Sequence, residues 1–306
     1  MTGNTFQFLW EIRLIEFIQS ILNNNEILKK FFVAVTFCGE AYFSVLVIGF
    51  LYWGYDKTLG LRTGLTVLSG QLFGNQIKNI FRRMRPYMVN ETVECFKAPE
   101  SKYDMYDVAK QGYSFPSGHA SNISSTVTSV YLKIKDRFLL IAGSILTLLV
   151  MISRFALGVH YPTDVIVGLI SGVSISILVD YLFKKFDKKY VYTGIVLFGL
   201  FGLIFSRTDD YFSVYGLTLG FIGAGLLDDK YIHFENTNNF FKAILRTIGG
   251  GIVFLGVSDL LKLPITALNL DANFVTHVIF RIIRYGLCTF ISMGVYPYLF
   301  RYKLFK

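Results

Sequence analysis

Polar connections cut this chain into apolar segments of bilayer length, at about 31–53, 62–83, 118–134, 138–158, 163–184, 190–206, 211–228, 243–261 and 275–300. A spanning helix needs roughly 20 largely apolar residues, and each segment is near that length. The expected fold is therefore all-α, a polytopic transmembrane helix bundle with about nine spanning helices. Composition agrees: 17% of residues are charged and mean hydropathy is +0.49, whereas a soluble domain carries about a quarter charged residues.

Residues 6–22 read as an amphipathic helix. Arg13, Glu16, Gln19 and Ser20 share one side, and Phe6, Trp10, Leu14, Phe17 and Ile21 share the other. Glu11 falls on the apolar side. Such a helix lies in the membrane interface more often than it spans, and Asn23-Asn24-Asn25 ends it. Glu11, Arg13 and Glu16 interrupt the N-terminal apolar run, so no signal peptide is expected here.

The net charge is +9, but the cations gather in short loops. Lys57 and Arg62 follow the first segment, and Lys133, Lys135 and Arg137 the third. Lys184, Lys185, Lys188 and Lys189 follow the fifth, and Arg301, Lys303 and Lys306 close the chain. Every second connection is basic, which the positive-inside rule places in the cytoplasm. The connections at 84–117, 159–162, 207–210 and 262–274, and the N-terminus, are then expected outside. Topology accounts for the charge better than nucleic acid does, and no nucleic-acid-binding motif is present. Cys38, Cys95 and Cys288 are too scattered for a zinc site or disulfide framework and read as thiols, a Cys38–Cys95 bridge being the alternative.

Three polar patterns fall at the outward ends of these segments. They are Lys78-x6-Arg85-Pro86, Pro116-Ser117-Gly118-His119 and Ser153-Arg154-x5-His160-x3-Asp164. Ionisable groups are costly near lipid and are functional candidates there. Lys78 and Arg85, seven apart, are expected on one helical face with Arg82, while Arg82 and Arg83 read as cations snorkelling to the boundary. Ser117 is placed to cap the helix that follows. Gly118 permits close approach of an anion, and the first N–H groups of that helix point at it. Pro162 suits a helix start, which puts Asp164 in the first turn, within reach of one nitrogen of His160. The other nitrogen is left as a nucleophile.

A phosphate monoester carries about two negative charges at neutral pH. Lys78, Arg85 and Arg154 offset that charge, His160 attacks phosphorus, and His119 protonates the leaving oxygen. The patterns lack a carboxylate cluster suited to Mg²⁺, so no metal and no cofactor are expected.

Read together, the patterns resemble the signature of the type 2 phosphatidic acid phosphatase superfamily: K-x6-R-P, then P-S-G-H, then S-R-x5-H-x3-D. That superfamily includes lipid phosphate phosphatases, undecaprenyl-diphosphate phosphatases, sphingosine-1-phosphate phosphatases and glucose-6-phosphatase. The resemblance covers residues 60 to about 185 and matches every fixed position. It implies that Lys78, Arg85, Ser117, Gly118 and Arg154 bind phosphate, with His119 as acid, His160 as nucleophile and Asp164 as its partner. The chain differs from six-helix members in having only the amphipathic segment where they have a first span. It also continues beyond the third pattern for about four more spans, a layout more similar to the glucose-6-phosphatase and sphingosine-1-phosphate phosphatase branches.

The expected division is an interfacial segment at 1–30, a catalytic bundle at 31–185 and further membrane helices at 186–306. The expected activity is hydrolysis of a lipid phosphate or diphosphate, in a multi-pass cell-membrane protein with its site facing out. Rival expectations are a soluble sugar phosphate as substrate, transfer to an acceptor other than water, or an anion transporter. Two features lie outside the patterns. The loop from Tyr87 to Tyr113 joins two parts of the site and is a candidate lid. His277, Arg281 and Arg284 share one helical face and need a partner, for which Glu40 or Asp259 is expected.

Overall fold

The structure, a computed structural model, describes residues 3–96, 105–267 and 273–302. Its helices are α1 (Leu9–Asn23), α2 (Glu26–Thr36), α3 (Ala41–Gly49, continued by π turns at Phe50–Tyr55) and α4 (Lys57–Phe81). Then come α5 (Gly118–Ile134), α6 (Arg137–Ala156), α7 (Pro162–Lys185), α8 (Lys188–Gly202) and α9 (Asp209–Leu227). The chain ends in α10 (Phe240–Ala267) and α11 (Phe274–Thr289, continued in π and 3₁₀ turns to Arg301). Every expected apolar segment is helical, but the first is broken between α2 and α3.

Among the described residues, five helices are long and apolar enough to cross a membrane: α6, α7, α9 (counted with the π turns that continue it to Ile232), α10 and α11 (counted with its continuation to Arg301). The broken pair α2 and α3 makes a sixth if it counts as one span. This count does not confirm the expectation of about nine, for a physical reason. α4 has 25 residues, but buries Asn75, Gln76 and Asn79 in its C-terminal half. α5 has 17 residues and buries Ser121, Asn122, Ser124, Ser125, Thr126 and Ser129. α8 is only 15 residues long. Two of the shortfalls thus come from helices whose polar side faces protein.

The chain groups into two compact units. One comprises Met1–Ser44 and Phe73–Ile177, the other Val45–Leu72 and Leu178–Lys306. The first unit carries all three sequence patterns. Its largest apolar cluster joins Ile12 and Ile15 of α1 to Tyr87, Val93, Leu157, Val159 and Tyr161. Burying such side chains stabilises by roughly 1.5–3 kcal/mol each where water is the alternative. The α5–α7 contact is of another kind. Ser125 donates to the Gly172 carbonyl (3.4 Å), and Ser176 donates back to the Ser125 carbonyl (3.2 Å). A Cβ at Gly172 would collide with the Ser124 hydroxyl and the Ser121 carbonyl. Small residues let the two backbones approach, as they do generally between membrane helices.

The helix at the N-terminus is turned over relative to its expected faces. Glu11, Ile12, Ile15, Gln19 and Leu22 are buried, whereas Trp10, Phe17 and Ile21 are exposed. Glu11 and Gln19 face protein, Arg13 and Ser20 stay exposed, and Trp10, Phe17 and Ile21 are left for the surroundings.

The second unit has an aromatic core that includes Tyr52, Trp53, Phe221, Phe234, Tyr296 and Phe300. Arg246 is buried in it, donating to the carbonyls of Trp53 and Glu235 (both 2.8 Å). α9 packs closely on α11, with Gly216 against Ile282 and Gly220 against Gly286. This packing corrects the expected partner of the α11 cations. His277 Nε2 lies 2.8 Å from Asp209 Oδ1, and Arg281 Nη1 lies 3.0 Å from Asp209 Oδ2. Arg284 donates to the Ser258 hydroxyl (2.7 Å). Asp209 falls within the connection expected at 207–210. It opens α9 and, being half-exposed, supports an ion pair worth about 0–1 kcal/mol. Cys38, Cys95 and Cys288 form no disulfide among the described residues.

The α5–α7 contact is testable. Gly172→Leu is expected to destabilise the protein by about 1–3 kcal/mol, read as a lower melting temperature in detergent. An unchanged melting temperature would contradict the close approach.

Candidate active site

Four segments of the first unit bring the predicted residues to one end of it. α4 ends at Phe81, because Arg82 takes a left-handed conformation (φ 51°) and Arg83 leaves the helix. Lys78 therefore lies in the last turn of α4, while Arg85 lies beyond it in extended backbone (φ −72°, ψ 151°). The expectation that the two share a helical face is overturned. Pro86 supplies part of the reason, since a proline disfavours helical backbone in the residue before it. The Arg85 guanidinium is buried and donates to the carbonyls of Gln111 (2.5 Å), Gly112 (3.1 Å) and Val159 (3.5 Å).

Ser117 caps α5 as expected, its hydroxyl accepting from the Ala120 N–H at 3.4 Å. Its own N–H donates to the Asp164 carbonyl at 2.9 Å, tying the start of α5 to the start of α7. Gly118 and His119 follow in the first turn of α5. His119 Nε2 lies 4.0 Å from Glu40 Oε1 at the break between α2 and α3. Glu40 was assigned elsewhere from sequence; only the break in the helix brings it here.

Arg154 ends α6 fully buried and donates to the Thr36 hydroxyl of α2 at 2.6 Å. The turn after it is tight. Gly158 is left-handed (φ 76°), and the Arg154 carbonyl accepts from the Val159 and His160 N–H groups (3.2 and 3.3 Å). Gln19 of α1 braces this turn, donating to the carbonyls of Glu94 (2.7 Å) and Ala156 (3.3 Å). Pro162 opens α7, so Asp164 stands in its first turn. Asp164 Oδ2 accepts the Tyr161 N–H at 2.8 Å and lies 3.5 Å from His160 Nδ1. That last approach falls short of a formed hydrogen bond, as catalytic pairs often do before substrate arrives. It leaves Nε2 of His160 as the nitrogen turned away from the carboxylate.

Burial pushes the His160 imidazole well below the usual histidine range, and Arg154, Arg85, Lys78 and His119 push it further the same way. Those four groups are the ones the sequence patterns nominated, so they converge on His160. A neutral imidazole is the form that can attack phosphorus. Among the described residues no group of three His, Cys, Asp or Glu side chains is placed to hold a metal ion.

Arg83 corrects another expectation. It is not a snorkelling cation but one of the most deeply buried side chains in the chain. Its Nη1 donates to Asp164 Oδ1 (2.7 Å) and Nη2 to Glu11 Oε2 (2.6 Å). The only sequence signal was Glu11 on the wrong side of an amphipathic helix, a charge in need of a partner. The candidate lid falls partly on residues outside the described ones. Its described far end is held by Arg85, and Tyr87 donates to the Met105 carbonyl at 3.0 Å.

Family models fit both halves of this chain. The PAP2 superfamily model matches residues 59–188, and the model for the transmembrane extension of PAP2 superfamily phosphatases matches 212–306. The chain belongs to the PAP2 superfamily, the type 2 phosphatidic acid phosphatases, and is a multi-span membrane protein of that phosphatase family. Sphingosine-1-phosphate phosphatase 1 of Mus musculus is 27% identical over 312 residues, covering 86% of this chain and 70% of that protein. Phosphatidylglycerophosphatase B of Bacillus subtilis is 28% identical over 175 residues, covering 53% and 76%. Undecaprenyl-diphosphatase of Sulfolobus acidocaldarius is 28% identical over 162 residues, covering 52% and 73%.

The depressed His160 sets a pH dependence of stability. The unfolded chain protonates this histidine near pH 6.5, while the folded chain does so only well below. Stability is thus lost as pH falls below about 6.5. His160→Asn is expected to flatten that loss in melting curves taken between about pH 7.5 and 5; parallel curves would contradict it.

Proposed function

We propose that this protein hydrolyses a lipid phosphate or diphosphate through a phosphohistidine on His160, at the outer face of the cell membrane. The observation that carries the reading is the neutral, buried His160 among Lys78, Arg85, Arg154 and His119, with Asp164 behind Nδ1. The cations offset the phosphate charge, and the free N–H groups at the start of α5, with Ser117 and Gly118, receive an oxygen.

In the first step His160 Nε2 bonds to phosphorus, the ester P–O bond breaks, and His119 gives its proton to the leaving oxygen. In the second, water attacks phosphorus, His119 takes back a proton, and the P–N bond breaks. The sum is one ester and one water giving an alcohol and inorganic phosphate. The site's own cations stabilise the charge, so no metal enters either step. Asp164 orients His160 and offsets the imidazolium charge that builds as the P–N bond forms.

A lipid substrate is supported by the position of the site, at the ends of helices long and apolar enough to span. Its phosphate reaches the cations while its tail stays in lipid. The names of the relatives point the same way. The outward orientation is supported by the basic connections at the opposite helix ends. All nominated site residues come from 31–185, and 186–306 supplies further membrane helices that help to choose the substrate.

A panel of phosphatidic acid, sphingosine 1-phosphate, undecaprenyl diphosphate and glucose 6-phosphate, assayed with EDTA in detergent, tests the reading. Phosphate release is expected from at least one lipid, and His160→Ala is expected to reduce it by about 10³-fold or more. Release that survives His160→Ala, or that occurs only with added Mg²⁺, would overturn the mechanism. Release from glucose 6-phosphate alone would overturn the lipid.

A further inference from the structure

Glu11 and Arg83 lie outside every sequence pattern, yet they form the wall behind Asp164. Both are fully buried. The Arg83 guanidinium spends all its edges: Nη1 donates to Asp164 Oδ1 and to Thr163 Oγ1 (both 2.7 Å), Nη2 to Glu11 Oε2 (2.6 Å), and Nε to the Phe6 carbonyl (3.1 Å). Its faces lie against the rings of Tyr161 (3.7 Å) and Phe6 (4.5 Å). Glu11 Oε1 accepts both the N–H (3.1 Å) and the hydroxyl (2.5 Å) of Thr163, the residue before Asp164. Glu11 Oε2 also accepts the Phe8 N–H at 3.1 Å. Oε1 of Glu11 therefore fixes the first turn of α7, while Oε2 holds Arg83 and the start of α1.

We infer that Glu11 and Arg83 are positioning residues for catalysis: they set the orientation and the electron-donating strength of Asp164, and through it those of His160. The inference rests on the function proposed above. Arg83 alone would neutralise Asp164 and weaken its hold on the proton of His160 Nδ1. Glu11 offsets Arg83, so the trio keeps one net negative charge behind an imidazole that is otherwise surrounded by positive groups. The groups facing His160 are Asp164 from α7, Arg154 from α6, His119 from α5, Lys78 from α4 and Arg85 from the loop after it. Among these Asp164 is the anion, Glu40 lying one group further out at 4.0 Å from His119, so the charge balance of Asp164 has a direct effect on the nucleophile. Glu11 lies on α1, ahead of residue 59 where the family model begins; the N-terminal helix is on this account part of the catalytic apparatus.

The test is hydrolysis of p-nitrophenyl phosphate by the full chain in detergent, with His160→Ala as reference. Glu11→Gln keeps the shape and removes the charge. It is expected to lower kcat about tenfold to a hundredfold, the range for groups that orient metal-bound histidines from behind. KM should stay nearly constant. The acid limb of kcat/KM should move to lower pH, because removing a negative charge disfavours the imidazolium. In the Asp164→Asn background, Glu11→Gln should add little, since the two act in series. Glu11→Asp should retain the wild-type acid limb. A Glu11→Gln protein that lowers only the melting temperature, with its kcat and acid limb unmoved, would overturn the inference, as would effects that add fully to those of Asp164→Asn. If Glu11→Gln proves too unstable to assay, Thr163→Val removes the bridge and keeps every charge. A lower kcat with the acid limb in place is then expected, and an unchanged kcat overturns the inference. A His160→Ala protein that remains active would instead defeat the proposed function itself.

Discussion

A guanidinium with no contact to water holds the candidate active site of this protein together. Isolated, a buried charge costs several kcal/mol, and it persists only where partners satisfy its donors. Arg83 meets that condition with two carboxylates, a hydroxyl, a carbonyl and two aromatic faces. Those partners come from the N-terminal segment, α1 and the start of α7. Satisfying Arg83 therefore fixes where these pieces meet. Removing one partner of such a set typically costs 3–5 kcal/mol, so the arrangement has little freedom to drift.

The same rule applies next to it. Arg154, Arg85, Lys78 and His119 all bear on His160. Arg85 and Arg154 are buried, with Arg85 donating to backbone carbonyls and Arg154 to the Thr36 hydroxyl. Carbonyl and hydroxyl oxygens satisfy donors without cancelling charge. On the proposed function, the cations that bear on His160 would meet the charge of a phosphate dianion. Electrostatic preorganisation of this kind costs no rearrangement at the moment of reaction.

Local signals in the sequence were sound wherever chain neighbours decide the structure. Ser117 as a cap, Pro162 as a helix start, Gly158 as a turn and Asp164 beside His160 all follow from spacing of a few residues. Spacing misled where the backbone changed its course. Lys78 and Arg85 share a face only if α4 continues, and Arg82 stops it. Glu40 reaches His119 only because the expected first span breaks at Phe37–Glu40. Pairings between distant segments were illegible, since neither Glu11 with Arg83 nor Asp209 with His277 is encoded in any local period.

The gap between the expected and the counted spans and the faces of α1 have one cause. Mean hydropathy treats each polar residue as a cost against crossing, which holds only if that residue meets lipid. In α4 and α5 many polar residues are buried in protein; in α5 Ser124 and Thr126 hydroxyls donate back to their own helix, and Ser125 donates across to α7. α1 follows the same logic, with Glu11 and Gln19 inward and Trp10, Phe17 and Ile21 outward. In a chain dissolved in lipid the interior is often the polar side of a helix, because lipid satisfies apolar groups as well as a core does. A charged residue on the apparently wrong face is then information about the interior. Glu11 was such a residue, and it leads through Arg83 to the histidine at the centre of the site.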